Sequence, residues 1–263
     1  MIPILFHIGS LPIRSYGLMM AIAFLVGIWV TRRRAASRGI NPDLVIDLAF
    51  VVIIASIAGA RATFVAVHWD LFRLDPAGVF RLWDGGLALY GGIAAGVIAG
   101  LAFFRRRGVD PWLGADLTTP ALAAGVAIGR LGCFLNGCCF GRPCDLPWAV
   151  AYHPDSNAAY VFGALRLHPT QIYESVAALG VLAVLLAVER RKPFDGFLLW
   201  LFVILLSAYR FMIDPLRYYE PMSMAVRGGA FPLTSNQVFG LILIAVSIVF
   251  MALLRRRAAA KRS

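Results

Sequence analysis

Charge is scarce in this chain. Only 15% of the 263 residues are Asp, Glu, Lys or Arg, and no more than 14 are acidic. Soluble domains usually carry about 25% charge, so an ordinary soluble globule is excluded. The 60% hydrophobic content and the mean hydropathy of +0.77 instead belong to the membrane class. A basic leading segment is lacking too: no charged residue precedes Arg14, and Arg32, Arg33 and Arg34 follow the first apolar stretch. That order is the reverse of a cleavable signal peptide, so the stretch reads as a retained span. No nucleic-acid-binding motif accompanies the net charge of +11, whose basic residues fall in short clusters between apolar runs; nucleic acid is therefore not an expected partner. Nor is there an internal repeat, which argues against an inverted-repeat transporter.

What is present is a series of apolar windows near 15–31, 44–68, 84–104, 114–135, 170–188, 194–214 and 234–254. Each approaches the roughly 20 residues needed to cross a bilayer. They predict an all-α membrane protein with seven transmembrane helices, a single integral membrane domain over 1–263. Arg32 to Arg34 and Arg38, Arg105 to Arg107, Arg190 to Lys192, and Arg255 to Arg257 with Lys261 and Arg262 put fifteen of the 25 basic residues on one side. The positive-inside rule makes that side cytoplasmic. The amino terminus is then expected outside (periplasmic) and the carboxyl terminus inside, with loops 69–83, 136–169 and 215–233 on the outer face. Only 136–169 is long enough for a small extracytoplasmic lobe, and its Pro, Asp, Asn and Gly content fits an irregular loop with a hairpin. Gly92, Gly96 and Gly100 form a small-residue stripe suited to close helix packing.

Four arginines interrupt this apolar background at or near the outer ends of spans: Arg61, Arg130, Arg210 and Arg217. A charge at membrane depth costs about 2.5 to 3.5 kcal/mol on insertion scales and over 10 in simulations, so it defaults to a functional hypothesis. The carboxylates available are Glu174, Asp214 and Glu220. The imbalance predicts a positive site for an anion, and arginine's planar fork matches phosphate. Competing readings are structural: an i,i+4 pair of Arg210 with Asp214, a buried pair of Arg130 with Glu174, a snorkelling Arg61 and an interface anchor at Arg217. Tyr16, Tyr90, Tyr173 and Tyr209 mark the same interface. Tyr90 stands out because Gly91-Gly92 beside it leaves room for a ligand. Asn136, Gln171, Asn236 and Gln237 offer neutral hydrogen bonds, which capping and helix-to-helix bonding also explain.

Cys133, Cys138, Cys139 and Cys144 crowd into twelve residues. On an oxidising outer face one or two disulfides are the plain expectation. The spacing lacks the paired two-residue pattern of zinc knuckles, so no metal is expected, and no cofactor. A membrane thiol oxidoreductase using Cys133 to Cys144 is a competing reading, although it leaves the arginines unexplained. A non-catalytic carrier of anionic phospholipid is a third.

Gly129-Arg130-x-Gly132, with Asn136 after it and Gly141 closing the run, resembles the signature of the prolipoprotein diacylglyceryl transferase family. Further matches follow in order: Tyr16-Gly17-Leu18-Met19, Gly59-Ala60-Arg61, Gly85-Gly86 with Gly91-Gly92, His168-Pro169-Thr170-Gln171-Ile172-Tyr173-Glu174, Tyr209-Arg210-Phe211 and Ser235-Asn236-Gln237. The resemblance implies transfer of the diacylglyceryl group of phosphatidylglycerol to the lipobox cysteine of a prolipoprotein signal peptide, with release of glycerol 1-phosphate. It implies a bacterial inner membrane, contact with membrane lipids and an active site toward the outer leaflet. By the same resemblance Arg130, Arg210 and Tyr90 are catalytic. Arg130, Arg61, Tyr16, Asn136 and Arg217 would bind phosphatidylglycerol, supported by Asp214, Glu174, Gln171 and Gln237.

The chain departs from its family's pattern in places. Tyr90 stands where histidine is frequent, and a phenol, ordinarily titrating near about 10, is a poor base at neutral pH. Cys133 and Cys138 replace the usual Asn and Glu, and Asp214 stands where glutamate is common.

Overall fold

A computed structural model describes residues 4–9, 11–219 and 233–260. Glu220, Lys261 and Arg262 lie outside the described residues. Among the described residues, seven helices are long and apolar enough to cross a membrane, the architecture of a multi-pass membrane protein. They are α1 (Ser15–Ser37), α2 (Leu44–Val67), α4 (Leu89–Arg106), α5 (Pro111–Asn136), α7 (Thr170–Glu189), α8 (Phe197–Ile213) and α9 (Ser235–Ala260). Two short helices, α3 (Trp69–Phe72) and α6 (Asn157–Phe162), lie between them.

Three local features differ from the sequence expectation. The third span starts at Leu89 and not near residue 84, because Gly85 and Gly86 take positive φ angles of 81° and 79° that a helix cannot contain. Ahead of α1, strands β1 (Ile4–Ile8) and β2 (Leu11–Arg14) pair antiparallel with His7 opposite Pro12, a hairpin with no clear signal in its apolar run. Between α5 and α7 there is no hairpin; α6, capped by the Ser156 hydroxyl, is joined by isolated bridges of Leu167 to Pro143 and to Val150.

The fold divides into two compact units, Thr31–Leu117 and Met1–Val30 with Thr118–Ser263. In the first, α4 lies against α2 through its glycines. A β-carbon on Gly91 would overlap the Thr63 hydroxyl, one on Gly92 would stand 3.1 Å from the Ser56 carbonyl oxygen, and one on Gly96 would overlap the Ser56 side chain. The stripe is thus a packing device, as expected of small residues in a membrane. Between α4 and α5 the Asp110 carboxylate accepts from the Trp112 and Leu113 amides to start α5, and Arg107 pairs with Asp47 at 2.9 Å.

In the second unit, α5, α7 and α8 meet around Ala123, Val181, Leu185, Leu198 and Phe202. The Ser175 hydroxyl donates to the Ala127 carbonyl at 2.9 Å, tying α7 to α5. Trp200 of α8 stacks on Phe250 of α9 with ring centroids 4.6 Å apart. The 137–169 segment packs its own small core of Phe140, Tyr152, Ala158 and Leu167.

Candidate active site

Glu174 lies in the second turn of α7 and is fully buried. Three guanidinium groups converge on its carboxylate. Arg210 donates from Nη1 to Oε1 at 2.6 Å, and Arg217 donates from Nη1 to the same oxygen at 2.8 Å. Arg130 sets Nε 2.5 Å from Oε2 as an ion pair, without the alignment of a hydrogen bond. Each cation arrives from a different element. Arg130 comes from the last turns of α5, Arg210 from the end of α8, and Arg217 from the chain just after the Asp214–Leu216 turn that Pro215 begins. Packing of α5, α7 and α8 brings Arg130 and Arg210 to Glu174, and the backbone of the 137–169 segment places Arg217. Gly141 bridges Arg217, and the Arg142 amide donates to the Leu216 carbonyl at 2.9 Å. Gly141 is required there, since a β-carbon would stand 2.6 Å from His168 Cβ and 2.7 Å from the Leu216 carbonyl oxygen.

These contacts revise two expectations. Arg130 does have a protein partner, Glu174, so its charge is not matched by a ligand alone. Arg210 pairs with Glu174, not with Asp214 four residues on. Asp214 is buried and instead accepts from the Tyr219 hydroxyl at 2.6 Å and the Thr234 hydroxyl at 2.5 Å. Tyr219 also receives an Arg210 N–H at 3.4 Å and lies under the Arg217 guanidinium. Burial, and then the hydrogen bond to Asp214, push the Tyr219 phenol up, so it remains a neutral donor. Tyr219 and Thr234 carry no sequence signal of this role.

Three guanidinium groups sharing one carboxylate leave two positive charges, and Asp214 brings the surplus to one. The exposure of the cluster is uneven. Arg217 and Glu174 are buried, but the Arg130 and Arg210 side chains are 24% and 26% exposed. Nη1 and Nη2 of Arg130 have no partner among the described residues. The four N–H donors of those two nitrogens and the open side of Arg210 are what an anion can reach.

The remaining expected residues fall around this cluster or apart from it. Tyr16, in the first turn of α1, is half exposed and near enough to Arg130 and the cysteines to feel their charges. A β-carbon on Gly132 would stand 3.4 Å from the Tyr16 ring, so the glycine lets α5 approach α1 there. Asn136 ends α5 beside the Cys138 side chain. Gln171 is buried; it donates to the Cys138 carbonyl at 2.7 Å and accepts from the Tyr152 hydroxyl at 2.8 Å. Burial pushes the Tyr152 phenol up to about 12, while the bond to Gln171 works against it. Gln237 closes a cap on α9: its Oε1 accepts from the Thr234 amide at 3.0 Å, and its own amide N–H donates to the Thr234 hydroxyl at 3.1 Å.

The four cysteines are free thiols, so the expected disulfides are not formed. The Sγ atoms of Cys133, Cys138 and Cys139 nonetheless lie within 4.8 Å of one another. Cys133 and Cys138 hydrogen-bond to Cys139 and hold its thiol below the ordinary range; burial opposes this, and Arg217 and Arg130 add to it.

Arg61 and Tyr90 belong to the other unit. Arg61 is buried and commits all five of its N–H groups to loop carbonyls: Nε to Val79 at 2.9 Å, Nη1 to Gly85 at 2.5 Å and Gly86 at 2.9 Å, and Nη2 to Gly78 at 2.6 Å and Arg81 at 3.0 Å. It neither snorkels nor keeps a donor for phosphate; it shapes the loop before α4. The space expected beside Tyr90 is filled by α2, whose Thr63 and Gly59 back onto Gly91. Its phenol ring lies on the open side of α4, 66% exposed.

A family model described as prolipoprotein diacylglyceryl transferase matches residues 3–253. The chain belongs to the prolipoprotein diacylglyceryl transferase family. Among its relatives named phosphatidylglycerol--prolipoprotein diacylglyceryl transferase, that of Thermosynechococcus vestitus is 35% identical over 242 residues, covering 91% of this chain and 88% of the relative. That of Gloeobacter violaceus is 34% identical over 98% of this chain and 94% of its own length. The protein of Bacillus velezensis is 31% identical over 97% and 93%.

Proposed function

We propose that this chain transfers the diacylglyceryl group of phosphatidylglycerol to the cysteine thiol of a prolipoprotein. The observation that carries the site assignment is the surplus of one positive charge at Arg130, Arg210 and Arg217, matching the one negative charge of a phosphodiester. The thiol sulfur attacks the glyceryl carbon that bears the phosphate, a carbon–sulfur bond forms and the carbon–oxygen bond breaks. The pair of electrons leaves on the phosphate oxygen as glycerol 1-phosphate, which takes up the thiol proton directly or through water. A positive field serves both halves of this step, because it favours the thiolate over the thiol and stabilises the departing oxygen.

Roles follow from exposure. Arg130 offers the N–H donors of its two Nη atoms to the lipid phosphate, and Arg210, partly exposed beside the same carboxylate, steadies the leaving oxygen or the attacking sulfur. Glu174 and Arg217 are the buried frame. Tyr16 and Asn136 border the headgroup, while Asp214, Gln171 and Gln237 hold the elements that present the arginines. Tyr90 is assigned as a hydrogen-bond donor in the reaction, not as its base, and Arg61 as the organiser of the 78–86 loop. The protein works as a single integral domain of the bacterial inner membrane, amino terminus outside, with 136–169 as an extracytoplasmic lobe and the site toward the outer leaflet. The peptide substrate is a signal peptide with a lipobox cysteine.

The test is direct. Purified protein with phosphatidylglycerol vesicles and a lipobox peptide yields a thioether-linked peptide and glycerol 1-phosphate, both read by mass spectrometry. The peptide with serine in place of cysteine yields neither. Folded protein that releases no glycerol phosphate overturns the proposal. Redox turnover of the thiols without lipid transfer would instead favour the oxidoreductase reading.

A further inference from the structure

The transfer chemistry uses none of the protein's own thiols, yet three of them are brought together. Cys133 lies in the last turn of α5, and Cys138 and Cys139 occupy the turn that follows. That turn is unusual in its backbone. Gly137 has φ of 67° and Cys139 has φ of 61°, and Cys139 is the non-glycine residue with positive φ among the described residues. A β-branched or bulky residue is a genuine outlier there, and the two left-handed positions fold the chain back onto Cys133. The turn is pinned from outside by the Gln171 side chain on the Cys138 carbonyl at 2.7 Å and the Thr170 hydroxyl on the Cys139 carbonyl at 2.9 Å. From within it is closed by the Cys138 amide on the Cys133 carbonyl at 3.1 Å. Backbone-directed bonds thus set the turn, and the Cys138 thiol adds its own, donating to the Cys133 carbonyl at 3.7 Å.

We infer that Cys133, Cys138 and Cys139 form a three-thiolate site for one thiophilic divalent cation of the zinc class. Metal–sulfur bonds of about 2.3 Å put sulfur atoms about 3.8 to 4.0 Å apart around a shared ion, and the three Sγ atoms already lie within 4.8 Å of one another. Small χ1 adjustments close the difference. Soft sulfur ligands select such ions over magnesium or calcium. Charge agrees as well: a divalent ion offsets two of the three thiolate charges that the turn would otherwise hold at close range. Binding takes all three sulfurs as thiolates, releasing the protons they still carry, and leaves a fourth coordination position to water. The linear spacing hid this site, because a Cys-x4-Cys-Cys run meets only when the turn between its members is left-handed. The site is independent of the transferase reading.

The experiment uses the full chain, purified in detergent, reduced and metal-free, titrated with Co2+ and then Zn2+. One Co2+ binds per chain with a thiolate-to-cobalt charge-transfer band, and Zn2+ displaces it. Cys133→Ser, Cys138→Ser and Cys139→Ser each lose the band, and Cys144→Ser keeps it. Alkylation of the wild-type chain gives a readout that no substitution can confound: Zn2+ protects those three cysteines from maleimide, read by peptide mass spectrometry, while Cys144 reacts equally with and without metal. A missing band with unprotected thiols overturns the site, and so does a band that survives the Cys133, Cys138 and Cys139 substitutions.

Discussion

Glu174 is the residue on which the cluster depends. A carboxylate held dry by three guanidinium groups compensates their desolvation, and removing one member of a buried ion pair leaves uncompensated charge at a cost of about 3 to 5 kcal/mol. Arg130 and Arg210 are each about a quarter exposed, so Glu174→Gln is expected to cost about 3 kcal/mol, the low end of that range. Thermal unfolding in detergent measures it; an unchanged midpoint would mean that the arginines do not need the carboxylate. That ionisable groups would gather here is legible in the sequence, because each interrupts an apolar run. Their pairing is not. The i,i+4 spacing favours Arg210 with Asp214, whereas the Asp214 carboxylate is taken by Tyr219 and Thr234. Contacts between separate elements leave no mark in local spacing.

At the scale of elements, the α2 and α4 pair is held by the absence of side chains. Gly91→Ala places a β-carbon into Thr63, and overpacking of this kind costs about 1 to 3 kcal/mol; the midpoint of thermal unfolding should fall, and Thr63→Ala in the same chain should recover part of it. Unaltered stability in the single variant would show that α2 and α4 separate without cost. Arg61 acts on the loop between the same two helices. Arg61→Ala strands the carbonyls of Gly78, Val79, Arg81, Gly85 and Gly86, so the 76–88 segment is expected to become a site of rapid limited proteolysis while the remaining fragments stay folded. Equal cleavage rates in variant and wild type would sink that role. The helices themselves were readable from their apolar length, and the start of α4 was misplaced by about a turn because the double glycine reads as permissive when its φ angles are unknown. The β1 and β2 hairpin was not readable, since its apolar residues blend into the span that follows.

For the whole molecule, the basic clusters at the C-terminal ends of α1, α4, α7 and α9 carry the proposed orientation, which topology experiments can check. The fourth cysteine, Cys144, lies in the proposed extracytoplasmic lobe. In a chain retaining only that cysteine, a membrane-impermeant maleimide added to intact spheroplasts should label it, and a reporter fused after Ser263 should be active only in the cytoplasm. Labelling only after lysis would reverse the orientation. Family membership, seven long apolar helices and a surplus of positive charge fit the proposed function as one device, in which arginines share a single buried carboxylate and, on that proposal, the unshared part of their charge meets a lipid phosphate. Phosphate recognition by a planar fork differs from attraction by a point charge, and this difference gives the most direct test. In the vesicle assay with phosphatidylglycerol and lipobox peptide, Arg130→Lys and Arg210→Lys are each expected to lower the turnover rate by about 10²- to 10³-fold, the loss typical of a missing oxyanion donor, in protein that unfolds near the wild-type temperature. Wild-type turnover in both lysine variants would contradict the account.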